Sequence, residues 1–522
     1  MKRKIKNLII FSALAILTVS CTDNYENINE NPYEVNKTQM NYDAYSLSAA
    51  MVKMQGYVEP TDVNMSQFVS LLLGGNYGGY FADSNAGFTY KNFASYAPEN
   101  GWSRVLFTDI IPNLFPSYVQ VKTVTDDIRY LEIANIIKVA AVHKVTDAYG
   151  AIPYSKIGED GSITAAFDTQ KEVYHKMIEE LGAAVEELTP YRTGFINPKA
   201  DAVFGGSIEK WIKFANTLEL RLAMRLSYVE PDFAQEIAEA IAIDPVGTMS
   251  TSSDNAFITV NKNPYRVVCY EYNGGDSRIS ADITTYMNGY NDPRRAKYFT
   301  ESTFTQEGVT NGYYGLRSGI EIPSGDIVHA YSNVNVSADD HTLLWMNASE
   351  AYFLKAEAAL RGWNMGGTAA DFYNEGIRLS FDQWGAEGAE DYMNNDTDQP
   401  APYVDPLGAF TYSGAISNIT IKYDSSASFE TNLERIITQK WIANFPLGLE
   451  AWSEYRRTGY PSLMNVELNR SGGIVDNDLK ARRLPYPQEE YQTNEENLKT
   501  ILSLMKGPDN MATNVWWDTK NN

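Results

Sequence analysis

The sequence predicts a mainly α-helical protein with long irregular loops. Apolar residues recur at three- and four-residue spacing over many segments, which is the pattern of amphipathic helices. Runs that alternate apolar and polar residues, as strands do, are few and short. Long stretches rich in Gly, Asn and Ser separate the periodic segments. We therefore expect a helical scaffold whose loops are extensive enough to build a binding face.

Seven helices are predicted along the chain, which becomes periodic near Tyr42. They span residues 128–145, 169–188, 208–229, 232–241, 348–360, 369–380 and 433–445. The first carries Leu131, Ala134, Ile137, Ala141 and Val145 at helical spacing, and the third carries Trp211, Phe214, Leu218, Leu222 and Leu226. The predicted loops span residues 74–100, 244–278, 301–340 and 385–425. Helix pairs recur without a fixed sequence period, so a regular solenoid is not predicted.

The first twenty residues predict a secretory signal peptide. Four cations lie within the first six residues, and an apolar run follows from Leu8 to Val19. That run is too short to span a bilayer comfortably. Ser20 and Cys21 match the end of a bacterial lipoprotein signal, so Cys21 is the predicted lipid attachment point, acylated with chains such as palmitate. The alternative is an ordinary secreted protein with a stray cysteine.

The sequence divides the remaining chain into a tether and one large domain. Residues 21–41 are polar and acidic, which favours a lipidated flexible tether. Residues 42–522 form the predicted domain. Cys269 is the only other cysteine. With Cys21 acylated it has no disulfide partner, and we expect a buried thiol that packs as a small apolar group.

Charge and missing motifs exclude several classes of function. The net charge is −23, and the signal peptide holds four cations and no acids. A mature chain this acidic is not expected to bind nucleic acid or an anionic membrane surface. No phosphate-binding loop, serine nucleophile elbow or zinc-ligand spacing is present. We therefore predict no catalytic residues, no metal and no cofactor, although 66 acidic residues leave a glycosidase pair impossible to identify.

Two loop segments carry the candidate ligand contacts. A sugar is recognised by a flat aromatic platform flanked by amide, carboxylate or guanidinium groups. The chain holds 35 Tyr, and both segments combine such residues. The first set is Asn76, Tyr77, Tyr80, Asp83 and Trp102, and the second is Tyr270, Tyr272 and Arg278. For any single aromatic residue the alternative, packing in the core, is the favoured interpretation.

Five motifs in order resemble the SusD/RagB family of Bacteroidetes outer-membrane lipoproteins, in its SusD-like branch. The motifs are Asp-Ala-Tyr-Gly-Ala-Ile-Pro-Tyr at 147–154, Phe-Ala-Asn-Thr-Leu-Glu-Leu-Arg at 214–221, and the segments 349–358, 450–459 and 482–487. The resemblance implies a helical fold with four tetratricopeptide-like helix pairs and an irregular binding face. It also implies that family members bind glycans, usually without catalysis, on the outer leaflet beside a SusC-like TonB-dependent transporter.

The expected function is that of a cell-surface lipoprotein of a polysaccharide-utilisation system. Residues 42–522 are expected to form a SusD-like domain that captures a neutral oligosaccharide or polysaccharide and delivers it to the SusC-like transporter. The alternatives are a tetratricopeptide-type scaffold that binds a protein or peptide, and a glycoside hydrolase. The charged motif pairs Arg221 with Arg225 and Glu350 with Glu357 are interpreted as helix-to-helix contacts.

Overall fold

The computed structural model describes residues 45–157 and 164–520. The predicted signal peptide, the tether and Cys21 lie outside the described residues. Within the described ranges, no helix is long and apolar enough to cross a membrane.

The prediction of a mainly helical fold is confirmed. The helices are α1 (Tyr45–Gln55), α2 (Val63–Ser66), α3 (Asn100–Ser103), α4 (Val105–Thr108), α5 (Ile111–Val124), α6 (Ile128–Tyr149), α7 (Gln170–Leu188), α8 (Ile208–Arg225), α9 (Pro231–Ala242), α10 (Pro264–Arg266), α11 (Ala281–Gly289), α12 (Arg295–Tyr298), α13 (Gly325–Val328), α14 (Ala348–Leu360), α15 (Ala369–Trp384), α16 (Ala389–Met393), α17 (Phe429–Ala443), α18 (Gly448–Thr458), α19 (Gln488–Thr493) and α20 (Glu495–Leu502). Two π-helical segments, Gln67–Gly75 and Val267–Glu271, continue α2 and α10.

All seven predicted helices are present, as α6, α7, α8, α9, α14, α15 and α17. Side-chain caps set the ends of these helices, and apolar periodicity does not predict where the caps are. The Thr169 side chain accepts from the Glu172 N–H and the Glu172 carboxylate accepts from the Thr169 N–H, which closes a capping box at the start of α7. The last predicted helix begins earlier than expected, at Phe429, because the Ser428 side chain caps it.

Arg456 and Arg457 ahead of Gly459 predict the end of a helix, which α18 confirms, but its extent was not predicted. Glu450, Glu454, Arg456 and Arg457 are all buried in it. These charged side chains share the buried surface with apolar ones, which weakens the apolar pattern from which the other helices were predicted.

Consecutive long helices pack against each other, α6 with α7, α7 with α8 and α14 with α15. Buried ion pairs join helices that are distant in sequence. Arg221 donates from Nε and Nη2 to the Glu350 carboxylate at 2.8 and 2.7 Å, and Arg225 Nη2 lies 2.6 Å from Glu450. The interpretation of the arginine and glutamate motif pairs as helix-to-helix contacts is therefore confirmed. The same network includes Lys440, Glu357, Glu454 and Arg457.

The strands are short and form three antiparallel pairs. They are β1 (Phe81–Asp83), β2 (Ile152–Pro153), β3 (Phe167–Asp168), β4 (Ala256–Thr259), β5 (Ser277–Ile279) and β6 (Thr342–Met346). The pairs are β1 with β5, β2 with β3 and β4 with β6. The β1–β5 pair matters for function, because it joins two of the predicted loops.

Cys269 is a free, buried cysteine, as the sequence predicted. Burial raises the pKa of its thiol to about 12. A thiol that stays protonated at neutral pH is a poor nucleophile, so Cys269 acts as a packing residue.

Candidate functional site

The β1–β5 pair brings the two predicted ligand sets into one region. Phe81 pairs with Ile279 and Asp83 pairs with Ser277. The loop that leads from β1 to Trp102 therefore lies beside the turn that carries Tyr272. Of the eight predicted contacts, the structure leaves Trp102, Tyr270 and Tyr272 partly exposed and buries the other five.

Tyr80 is a core residue rather than a ligand contact. Its exposed fraction is 0%. The ring stacks on Trp441 with centroids 5.5 Å apart, and the hydroxyl donates to the Trp441 carbonyl at 2.5 Å. A ring enclosed on all sides has no face to offer a sugar in this conformation, which corrects the expectation for Tyr80.

Tyr77 is likewise enclosed by other rings. Its centroid lies 5.0 Å from that of Trp452 and 5.9 Å from that of Phe93, and 7% of the residue is exposed. Burial raises the pKa of its hydroxyl well above the usual value. The structure therefore also assigns Tyr77 to packing.

Asn76 and Asp83 form a buried hydrogen-bonded pair near the β1–β5 strand pair. The Asn76 side-chain amide donates to the Asp83 carboxylate at 2.8 Å and to the Leu72 carbonyl at 2.9 Å. Burial raises the pKa of Asp83 to about 7, although the hydrogen bond from Asn76 opposes that rise. The two residues fix the start of the loop instead of facing a ligand.

Arg278 holds the shape of the second loop. Its guanidinium donates to the carbonyl oxygens of Cys269 at 2.9 Å, Ser277 at 3.0 Å and Gly274 at 3.0 Å. Burial lowers the pKa of this guanidinium. Since both of its terminal nitrogens donate to main-chain carbonyls, Arg278 is a positioning residue for the turn, and the expectation of a ligand contact is corrected.

Trp102 belongs to a partly exposed aromatic patch, which we define as Phe68, Phe88 and Trp102. The Trp102 ring lies 5.5 Å from Phe68 and meets Phe88 edge-on at 4.9 Å. Lys91 Nζ lies over the indole at 5.3 Å and also pairs with Glu99 at 3.3 Å. The patch therefore offers apolar ring surface next to charges that neutralise each other.

Tyr270 and Tyr272 differ in how much of the aromatic ring is left uncovered for a ligand. The Tyr270 hydroxyl donates to the Val334 carbonyl at 2.5 Å, and the Arg266 guanidinium covers its ring at 3.9 Å. The Tyr272 hydroxyl donates to Asn64 Oδ1 at 3.2 Å. Of the two, Tyr272 has the ring that no cation covers among the described residues.

Asp276 is the organising group of this region. Its carboxylate accepts from the side-chain amides of Gln67 at 2.7 Å, Asn85 at 2.8 Å and Asn273 at 2.9 Å. The carboxylate is buried, whereas Asn273 is exposed. Asn273 has φ +52°, a left-handed conformation that asparagine tolerates. The hydrogen bonds from Gln67, Asn85 and Asn273 thus connect three chain segments to one buried carboxylate.

The start of the helical segment 63–75 connects these parts. Asn64 contacts Tyr272, Gln67 contacts Asp276, and Phe68 contacts Trp102. The positions i, i+3 and i+4 share one helix face, so a single face supports the whole site. We call the exposed surface formed by Phe68, Phe88, Trp102, Tyr272 and Asn273 the candidate face.

Phe68, Phe88 and Asn64 are not among the contacts predicted from the sequence. The spacing of Asn64, Gln67 and Phe68 was the available signal, but spacing alone does not show which helix face meets solvent. Within residues 45–157 and 164–520, no group of three or more His, Cys, Asp or Glu side chains is arranged to hold a metal ion.

Comparison with known proteins gives one consistent family. The model of the family described as "SusD-like: Susd and RagB outer membrane lipoprotein" matches residues 27–518. A SusD homologue from Bacteroides uniformis is 49% identical, with a TM-score of 0.87, over 91% of this chain and 100% of that one. A chitin-binding SusD homologue from Flavobacterium johnsoniae is 37% identical, with a TM-score of 0.86, over 91% of this chain and 99% of that one. No curated protein matches the chain.

Proposed function

Because the chain belongs to the SusD-like family of outer-membrane lipoproteins, we propose that it captures a neutral glycan at the candidate face and delivers it to a SusC-like TonB-dependent transporter. The observation that carries the proposal is the partly exposed Trp102, set among Phe68 and Phe88, with the exposed Asn273 connected to the same helical segment through Asp276 and Gln67.

The candidate face has the two features that sugar recognition needs. A sugar ring presents C–H groups on its flat side and hydroxyl groups at its rim. The aromatic patch would stack on the C–H side. Asn273 keeps a side-chain carbonyl oxygen for a hydroxyl or amide donor, because its amide nitrogen is used on Asp276.

A neutral glycan fits the charges better than an acidic one. The net charge of the chain is −23, which repels anions. Lys91, the cation beside the aromatic patch, is paired with Glu99 at 3.3 Å. The relative described as chitin-binding, at 37% identity, supports chains of N-acetylglucosamine as the first glycans to test.

The remaining parts of the proposal concern location and partner. We expect lipid on Cys21 to hold the protein at the outer membrane, exposed at the cell surface. A glycan bound outside a closed bilayer still needs a channel, which the SusC-like transporter would supply.

A stable complex of the lipoprotein with the transporter would bury more than roughly 2,000 Å² in total. A tagged lipoprotein extracted in detergent should recover a barrel of transporter size in equal amount, and repeated recovery of the lipoprotein alone would contradict the partnership.

The binding experiment compares Trp102→Ala with Phe195→Ala. Phe195 is 65% exposed and lies outside the candidate face, so it controls for the loss of a surface ring. After a glycan array identifies ligands, calorimetry should give a dissociation constant on the order of micromolar to millimolar. Trp102→Ala should weaken it about tenfold or more, and Phe195→Ala should leave it unchanged.

Three results would contradict the proposal. Equal binding by both variants would remove Trp102 from the site. Release of reducing sugar by the purified protein would indicate a hydrolase, and failure to bind any glycan would favour the peptide-binding scaffold.

A further inference from the structure

A cavity lies close to the helix that carries Trp102. Its volume is about 820 Å³, within the range of sites that enclose small ligands. The wall is formed by the end of α6, the first turn of α7, residues 483–486 and residues 501–519. Tyr149 lines the cavity, and its hydroxyl donates to the carbonyl of Ser103, the neighbour of Trp102 in α3. The cavity is therefore adjacent to the candidate face but separated from it by α3.

We propose that this cavity is a second binding site for neutral carbohydrate. The proposal rests on the proposed function, since it assumes that the protein binds glycans, but it concerns residues that take no part in the candidate face.

Trp516 supplies an aromatic surface whose main chain is held in place. Its main-chain N–H donates to Gln170 Oε1 at 2.8 Å, and Gln170 Nε2 donates to the Thr146 carbonyl at 2.6 Å. Trp516 lines the cavity and is partly exposed, with its ring centroid 6.4 Å from that of Tyr174. Among the described residues, nothing accepts a hydrogen bond from its indole Nε1. A partly exposed ring with a free donor at its edge suits the flat side and rim of a sugar.

Polar side chains also line the cavity. They include the exposed Lys171 at the first turn of α7, the exposed Lys506 and the partly exposed Asn514. The Nε of Arg483 has no hydrogen-bond partner in the described part of the chain, but it is buried within the protein and does not face the cavity. A ligand that brings hydroxyl oxygens can hydrogen-bond to the exposed polar groups of the wall.

Most charges of the wall are compensated, which favours a neutral ligand over an acidic one. Three of the four charged side chains that line the cavity have an opposite charge beside them, and the fourth, Lys506, is exposed. The pairs are Lys171 with Glu230, Arg483 with Asp509 at 3.0 Å, and Asp518 with Arg482 at 2.5 Å.

The apolar part of the wall matches the C–H surface of a sugar. Leu504, Met505 and Val515 lie among the lining residues, beside Thr513 and Asn514. An acyl chain would leave the polar groups of the wall without partners, which costs free energy. A carbohydrate presents both kinds of surface at once. Two sites on either side of α3 would also raise the affinity for a polysaccharide that can occupy both.

The test uses the lipidated protein in nanodiscs and a panel of chitin, starch and cellulose tetrasaccharides, measured by calorimetry. About two tetrasaccharides should bind per protein. Trp516→Ala and Trp102→Ala should each reduce the stoichiometry to about one, and the double variant should abolish binding. Phe195→Ala is the control and should bind as the wild type does.

A second variant distinguishes loss of the binding site from loss of the fold. Ala512 is exposed and lines the cavity, so Ala512→Trp should fill the space without removing a core contact and should have the same effect as Trp516→Ala. A wild-type stoichiometry near one, abolished by Trp102→Ala and untouched by both cavity variants, would overturn the second site and leave the proposed function standing. Absence of binding to the whole panel would overturn both. Palmitate that binds in the cavity while no tetrasaccharide does would assign the cavity to an acyl chain and overturn the proposal.

Discussion

Asn273 and Asp276 orient each other at the candidate face. The exposed Asn273 donates its side-chain amide to the buried Asp276 carboxylate at 2.9 Å. A carboxylate oxygen accepts hydrogen bonds, so the amide nitrogen must face it and the Asn273 carbonyl oxygen is left for a ligand. A surface residue thereby acquires a fixed orientation without any contact to ligand.

Replacing Asn273 with glycine should weaken glycan binding about two- to tenfold, the effect of one neutral hydrogen bond. Glycine accepts the left-handed φ of +52°, so the turn and the melting temperature should be preserved. Asn291→Gly is the matched control, because Asn291 is also exposed with φ +49° and lies outside the candidate face. Equal affinities of the two variants would exclude Asn273 from the site.

Replacing Cys21 with alanine should release the protein from the outer membrane, because the predicted acylated thiol is removed. Cys269→Ala is the control: that thiol is buried and free, so the variant should stay with the membrane fraction. Fractionation and immunoblotting measure both. A Cys21→Ala protein that still sediments with outer membranes would contradict lipid anchoring.

Breaking the buried ionic network should destabilise the fold strongly. Arg221→Met removes the two-point partner of the buried Glu350 carboxylate and leaves only Lys440 Nζ, 3.5 Å away, beside it, which should cost about 3–5 kcal/mol. Arg378→Met removes an exposed arginine from its pairs with Glu375 and Glu390, which should cost less than about 1 kcal/mol. Urea unfolding gives both values. Similar losses for the two variants would mean that the buried network contributes no more than a surface pair.

Replacing Glu219 with glutamine should stabilise the protein at alkaline pH. Burial, together with the nearby Asp244, raises the pKa of Glu219 to about 8. An unfolded glutamate has a pKa near 4.3. The unfolded state therefore loses this proton first, and the wild type loses stability as the pH rises from about 4.3 to about 8.

Glutamine does not titrate, so the melting temperature of Glu219→Gln relative to the wild type should rise across that pH range. Glu236→Gln, at an exposed position on α9, serves as the control and should show no such trend. A constant difference between Glu219→Gln and the wild type at every pH would show that Glu219 does not couple to folding.

The buried ionic network changes stability with pH in the opposite sense to Glu219, because its contribution is lost as the pH falls. Burial alone would raise the pKa of Glu450, but Arg225, Arg221 and Lys440 outweigh it and lower the pKa to about 2. A carboxylate with a lowered pKa contributes stability above the unfolded value, and that contribution is lost as the pH falls toward 2. The acid limb of the stability profile therefore reflects the network, and the alkaline limb reflects groups such as Glu219.

The sequence alone determined the helical class, the seven predicted helices and the family. Each of these depends on information that is local in the chain. Helix periodicity reports which side of a segment is buried, and four of the five motifs lie in helices or at a helix end, whereas residues 482–487 are irregular. The extent of α18 was not predicted because it buries charged side chains in pairs, and pairing is a property of two segments rather than of one.

Only the tertiary structure decided which candidate residues face solvent. Tyr80 and Trp102 were equivalent in the sequence, as aromatic residues in or near a glycine-rich loop. Tyr80 is enclosed because it stacks on Trp441, 361 positions away, whereas Trp102 packs against Phe68 and Phe88 and keeps part of its ring exposed. Exposure of a loop side chain is set by partners that meet it only after the chain has folded. Residue type identified what could bind a sugar, and long-range packing decided which of those residues remain available to do so.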